Sequence, residues 1–236
     1  MVITAIMAVY PIGGQKMRNL FIVLSMLLFP LNAAHAEVSV GIGISVPGVS
    51  IGINMPAYPR LVPVPGYPVY YDPRVDLNFF FYDSLYWVFQ GDDWYVSSWY
   101  NGPWQLVARA YVPLYVLRVP VRYYRRPPPY FRGWHADAPP RWGDRWGREW
   151  EQQRSGWDQW DRRSAPRPAP LPSYQRRFSG DSYPHEEIQP TIQSKKYRYQ
   201  PREPVTQQYY QQQRRQTGPQ DKGRESNREE RGQDRR

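Results

Sequence analysis

The chain has 236 residues, a formal net charge of +10 and no cysteine. Lack of cysteine excludes disulfides, thiol catalysis, cysteine-held metals and a lipid-modified cysteine at a cleaved N-terminus. The charge is uneven: residues 164–236 hold 15 Lys/Arg against 9 Asp/Glu, whereas residues 37–163 hold 14 against 12.

The N-terminal segment reads as a secretory leader, residues 1–36. Lys16 and Arg18 supply a positive start, and Leu20–Phe29 is apolar except for Ser25. That run is too short to span a bilayer, which takes about 20 apolar residues, and suits a signal-peptide core. Pro30 ends it, and Ala34-His35-Ala36 places small residues at the −3 and −1 positions of a cut before Glu37. Met17 is the expected true start. Export is expected, to the periplasm, the periphery of the outer membrane or the extracellular space, and not as a lipoprotein.

Residues 37–56 alternate with period two. Val38, Val40, Ile42, Ile44 and Val46 share one face; after Pro47-Gly48 the parity flips to Val49, Ile51, Ile53 and Met55. Folding about Pro47-Gly48 opposes apolar with apolar, including Ile44 with Ile51, which predicts a β-hairpin. Proline fixes φ near −65°, so the turn is expected to be looser than the two-residue primed types.

Residues 57–76 are punctuated by Pro59, Pro63, Pro65, Pro68 and Pro73, after Pro56. Neither a helix nor a central strand tolerates that spacing, so an extended surface connector is expected, with Tyr58, Tyr67, Tyr70 and Tyr71 as contact residues.

Residues 77–124 hold the clearest core, an aromatic β-meander. The runs Leu77–Tyr82, Leu85–Gln90, Asp93–Tyr100 and Trp104–Ala108 are separated by Asp83-Ser84, Gly91-Asp92 and Asn101-Gly102-Pro103. This register sets Phe80, Trp87 and Val96 in one cross-strand row and Phe89 opposite Trp94. Phe79, Phe81, Tyr86, Val88 and Tyr95 fall on the reverse face. Both faces are apolar, so each needs a cover.

A Pro/Arg-rich linker, 125–140, leads to residues 141–163. There Trp142, Trp146, Trp150, Trp157 and Trp160 fall within an arc of about 80° at 100° per residue, predicting an amphipathic helix that docks its tryptophan stripe. Gly143, Gly147 and Gly156 oppose it at about 1 kcal/mol each. Residues 164–236 contain only Leu171, Phe178, Ile188, Ile192 and Val205 from the Leu, Ile, Val and Phe set. Such a composition predicts disorder. The fold class expected is therefore α+β: a small antiparallel β-meander with an N-terminal hairpin and one Trp-striped helix, followed by a long disordered basic tail.

The segments Trp94-Tyr95-Val96-Ser97-Ser98-Trp99-Tyr100-Asn101-Gly102-Pro103-Trp104 and Val119-Pro120-Val121-Arg122-Tyr123-Tyr124 resemble Tyr/Trp-rich exported periplasmic proteins of Gram-negative bacteria. Phe131-Arg132-Gly133-Trp134 and Ala138-Pro139-Pro140-Arg141-Trp142-Gly143 extend that resemblance over roughly residues 40–163. It implies the cell envelope and carries over no functional residues.

No nucleophile, phosphate loop or base–orienter pair stands out, so the reading is non-enzymatic, with no cofactor and no metal site. His185-Glu186-Glu187 lacks the second histidine of a zinc-protease motif. His135 near Asp137 reads as a surface or capping residue, and Asp92-Asp93 as turn residues. Two sets remain as candidate ligand-binding residues. Trp99, Tyr100 and Trp104 flank a turn and could stack on sugar rings. Arg118, Arg122, Arg125 and Arg126, with Arg132, form a tyrosine-interleaved basic segment suited to bidentate anion contacts.

The partners this implies are anionic lipid headgroups, lipopolysaccharide phosphates, polysaccharide or other envelope proteins. Alternatives are self-association as a matrix protein, through the flat hairpin and the Gln/Tyr-rich tail, and a carbohydrate-binding module. Nucleic acid ranks lower for an exported chain, although a cationic tail can bind DNA with a steep salt dependence.

Overall fold

The computed structural model describes Ile44 and residues 50–217, with side chains through Arg215. The leader expected over residues 1–36, with Ala34 and Ala36, lies outside the described residues, as do most of the first strand of the expected hairpin and residues 218–236.

The strands form one antiparallel sheet in sequential order: β1 (Val62–Pro63), β2 (Tyr70–Tyr71), β3 (Asn78–Tyr82), β4 (Leu85–Gln90), β5 (Asp93–Ser97) and β6 (Gln105–Val107). The helices are α1 (Leu114–Leu117), α2 (Trp142–Gln153), α3 (Gln189–Lys196) and α4 (Pro204–Thr217). The class is α+β. Among the described residues, no helix is long and apolar enough to cross a membrane.

Two-residue turns set the register of the central hairpins. Asp83 and Ser84 have φ of 46° and 73°, and Gly91 and Asp92 have 61° and 73°. Positive φ at both central residues matches the right-handed twist of the flanking strands. The consequence is the pairing expected from the sequence: Phe80 with Trp87, Trp87 with Val96, and Phe89 with Trp94. Val107 extends the last row from β6.

Each face of this sheet is covered. On the first, Phe80, Trp87, Phe89, Trp94 and Val96 pack under Val116 and Leu117 of α1, under Tyr124 and Phe131, and under Trp142 and Trp150 of α2. On the second, Phe79, Phe81, Tyr86 and Val88 pack with Met55, Tyr100, Trp104 and Ala169. Burying one large apolar side chain contributes about 1.5–3 kcal/mol, so these rows dominate the stabilisation.

Four expectations need correction. The connector 57–76 is not merely superficial. It adds β1 and β2 to the sheet and buries Val64, Tyr67 and Val69. Its prolines are tolerated because each strand is only two residues long and β1 lies at the sheet edge.

The hairpin over 37–56 does not form in its second half. Residues 50–55 are not strand, Gly52 has φ +69°, and Ile44 forms an antiparallel bridge with Val107 rather than pairing with Ile51. Ile51 and Ile53 instead pack on the second face of the sheet.

The tryptophan helix stops at Gln153 instead of running to 163, and Gly147 interrupts it with φ 86° and ψ 171°. The stripe still packs as a ladder. Trp142 and Trp146 stack at 4.3 Å, Trp146 meets Trp150 edge-on at 4.8 Å, and Trp157 follows at 5.7 Å. Beyond the helix, Trp160 packs on Tyr67 and Tyr115. Tertiary packing holds the stripe where helical continuity fails.

Residues 164–215 are ordered, although their composition predicts disorder. Ala169, Leu171, Tyr183 and Tyr199 lie on the second face of the sheet, and α4 returns Val205 and Tyr209 to the first. Tyrosine and glutamine replace the missing aliphatic residues. Tyr86 donates to Gln175 Oε1 at 2.9 Å, and Gln175 Nε2 donates to the Ser98 carbonyl at 2.9 Å.

Candidate functional site

The aromatic residues expected to flank an exposed turn are enclosed. Trp99 and Tyr100 are 0 % exposed and Trp104 is 3 % exposed. Tyr174, Phe178 and Tyr183 surround the Trp99 ring edge-on at 5.4–5.8 Å. Tyr100 donates to the Phe178 carbonyl. The turn itself is covered: the Asn101 N–H donates to the Tyr183 hydroxyl oxygen at 3.1 Å, and that hydroxyl donates to the Gly102 carbonyl at 2.7 Å. A sugar has no ring face to stack on here. The covering residues come from the tail, about 80 positions later in the chain, so nothing local in the sequence signals the burial.

Arg118 is also internal, 6 % exposed. Its Nε donates to the Trp157 carbonyl, and its Nη2 donates to the Gly156 and Gln159 carbonyls at 3.3 Å. The guanidinium lies 5.2 Å from the centre of the Trp160 ring. Burial lowers its pKa from the ordinary arginine value. Arg118 cross-links the chain after α2 to α1 and has no role at an anion-binding surface.

The other arginines stay in solvent. Arg122, Arg125, Arg126 and Arg132 are all exposed. Arg122 pairs with Asp137 at 2.5 Å and Arg126 pairs with Asp76 at 3.1 Å, every partner being at least half exposed. Arg125 and Arg132 have no ion-pair partner among the described residues.

A buried amide fixes the backbone beneath this segment. The Asn78 side chain accepts from the Arg126 N–H at 2.8 Å, and its Nδ2 donates to the Arg126 carbonyl at 2.7 Å and to the Phe89 carbonyl at 3.1 Å. Farther back, the Val121 and Arg122 N–H groups donate to the Ala138 and Ala136 carbonyls at 3.0 Å. The arginines therefore project from a braced loop. Beside it lies a cleft of about 510 Å³, with Arg126, Pro128, Tyr130 and Phe89 in its wall.

Asp92 closes one side of that cleft. It accepts from Tyr130 at 2.6 Å and from Arg109 and Arg145 at 3.0 Å. Burial works against ionisation, but the hydrogen bonds from Arg145 and Tyr130 and the charges of Arg109 and Arg145 outweigh it. They hold the carboxyl below its ordinary value. The turn role expected from the sequence holds, since Asp92 sits at φ 73°. Its second role, tying α2 to the β4–β5 turn, depends on residues 17 and 53 positions away.

His135 accepts from the Asp137 N–H at 3.2 Å, a local turn contact. Among the described residues, no group of three or more His, Cys, Asp or Glu side chains could hold a metal ion. Two roles escape sequence reasoning: Asn78 braces the arginine loop at Arg126, and Asp83, read from the sequence only as a turn residue, anchors the tail. Asp83 accepts from Tyr199 at 2.8 Å and from the Arg202 and Glu203 N–H groups at 2.8–3.0 Å.

Comparison with models of known protein families, with curated proteins and with solved structures finds no match.

Proposed function

We propose that this chain is an exported, non-enzymatic protein of the Gram-negative envelope that binds anionic envelope material through Arg122, Arg125, Arg126 and Arg132. The leader ending near Ala36 and the resemblance to Tyr/Trp-rich periplasmic proteins support export. One observation carries the binding reading: the four arginines are exposed, the backbone is held at Arg126 by Asn78 and at Arg122 by the Ala136 carbonyl, and Arg125 and Arg132 have no ion pair among the described residues.

Preorganisation lowers the ordering cost of binding. Phosphate and carboxylate groups suit bidentate contact with guanidinium. The pairs with Asp76 and Asp137 do not block this, because exposed ion pairs contribute only about 0–1 kcal/mol and an incoming anion can displace them.

The ligands that fit are lipid headgroups, lipopolysaccharide phosphates and acidic polysaccharide. The sugar-stacking alternative loses its residues, since Trp99 and Trp104 are enclosed. Self-association gains little from the described edges. β1 contains two residues, one of them Pro63, and β6 contains three, bridged by Ile44.

The test is cosedimentation with lipopolysaccharide and with anionic or neutral vesicles. Binding is expected to anionic material alone, to weaken with salt, and to fall when all four arginines become Gln. Unchanged binding of that variant overturns the proposal.

A further inference from the structure

The ordered tail builds a second cleft that shares no residue with the arginine loop. Its volume is about 360 Å³, and it lies between α3, the segment that leaves α3, and α4. This falls within the ~300–1,000 Å³ range of small-molecule sites.

Three tyrosines line it: Tyr197, Tyr199 and Tyr210. Each has already committed its hydroxyl proton elsewhere. Tyr197 donates to the Pro170 carbonyl, Tyr199 to Asp83 and Tyr210 to the Ser84 carbonyl. What the three side chains have left for a ligand is aromatic surface, held by those hydrogen bonds.

Gln193 supplies the independent observation. It lines the same cleft, is 6 % exposed, and its Oε1 has no hydrogen-bond partner among the described residues. The orientation of the amide follows from its neighbour. Tyr210 donates to Ser84, so its oxygen must accept from Gln193 Nε2, at 2.7 Å. The carbonyl oxygen is left over. A buried acceptor without a donor is costly and calls for an explanation. The oxygen has almost no exposed surface, so a ligand hydroxyl satisfies it only when the amide swings towards the cleft.

Charge narrows the ligand further. Arg214 lines the cleft, is exposed and has no ion pair among the described residues. No acidic residue among those described lines the wall. An aromatic surface, one unspent acceptor and one arginine together match a ring with an apolar C–H face that carries hydroxyls and a carboxylate.

We propose that this cleft binds a uronic-acid unit of an acidic glycan. The sugar's C–H face lies on the tyrosines, one ring hydroxyl donates to Gln193 Oε1, and the carboxylate pairs with Arg214.

The experiment is calorimetric titration of the full exported chain with three probes: a galacturonate oligomer, a neutral galactose oligomer and an oligoglutamate peptide. Saturable binding of the galacturonate oligomer is expected, with the neutral oligomer about tenfold weaker and the peptide weaker still. Arg214→Gln should lower galacturonate affinity about tenfold and leave the neutral oligomer unchanged. Gln193→Leu should weaken both sugars. Near-UV circular dichroism checks that each variant folds, and Arg214→Gln decides the matter alone if Gln193→Leu does not fold.

Equal binding of peptide and galacturonate overturns the proposal, as does unchanged galacturonate affinity in Arg214→Gln or no saturable binding at all. Because a galacturonate oligomer can also reach the arginine loop, Arg214→Gln is compared in the variant carrying Gln at Arg122, Arg125, Arg126 and Arg132, where the galacturonate binding that remains should still fall about tenfold. Failure of the arginine-loop reading is thereby separable from failure of this one.

Discussion

Asp83 and Glu203 are 120 residues apart, and the Asp83 carboxylate accepts the Glu203 N–H at 2.8 Å. The same carboxylate accepts the Arg202 N–H and the Tyr199 hydroxyl. It thus serves donors at the start of α4 that no helical carbonyl can reach. Tyr82, next to it in the chain, donates to Glu203 Oε1 at 2.6 Å. A β-hairpin turn thereby acts as a cap for a helix in the tail.

Replacing Asp83 tests this link. Asp83→Ala removes a cap worth about 0.5–2 kcal/mol and adds strain, because the residue sits at φ 46°. Asp83→Asn tolerates that backbone conformation and should lose less. Denaturant titration should rank native above Asn above Ala, and limited proteolysis should cut the Ala variant first between residues 165 and 203.

Glu203 gives a pH dependence of opposite sign to that of Asp92. Burial raises the Glu203 pKa, the Tyr82 hydrogen bond opposes this, and the Asp83 charge adds to the rise. The folded state therefore holds this proton more tightly than the unfolded state does. Stability falls as pH climbs from the ordinary value of 4.5 towards the raised folded value. For Asp92 the folded pKa is lowered, so its contribution is lost as pH falls below the ordinary value of 3.8. Denaturation midpoints compared across pH should show the decline above 4.5 in the native chain and not in Glu203→Gln.

Arg118 and Arg125 should separate stability from binding. Arg118→Ala strands three carbonyls, at residues 156, 157 and 159, and should cost about 3 kcal/mol. Arg118→Lys should rescue it poorly, since an ammonium lacks the planar fork. Arg125→Ala should leave the melting temperature unchanged and weaken anion binding, read by thermal melts alongside vesicle cosedimentation.

Truncation after residue 163 bears on the tail as cover. Without Ala169, Leu171 and Tyr183, the face carrying Phe79, Phe81, Tyr86 and Val88 loses part of its lid. The truncated chain should bind a hydrophobic dye strongly and aggregate. A soluble truncation that binds no dye would show that the tail is dispensable for the core.

The rows Phe80–Trp87–Val96 and Phe89–Trp94 are legible in the amino-acid order alone, because strand side chains alternate with strict period two and two-residue turns leave no freedom of register. The demand for two covers is legible from the same alternation. One cover is identifiable too, since tryptophan spacing marks a face, although Gly147 ends its helical continuity at a point that spacing does not reveal.

The second cover is not legible in this way. A tail short of aliphatic residues reads as disordered when judged by composition alone. Its order comes from Tyr183, Gln175 and Tyr199 meeting partners 81 to 116 positions away. The same holds at the candidate site. Arg118 and Arg125 stand in similar sequence surroundings, yet one ends in a cage of carbonyls and the other in water. The strands β3 to β6, their register and their two apolar faces follow from local periodicity, whereas β1 and β2, in a proline-punctuated segment, do not. Which aromatic residues are enclosed, which arginines remain in solvent and where the tail goes are settled by the folded chain as a whole, because burial depends on what arrives from distant positions.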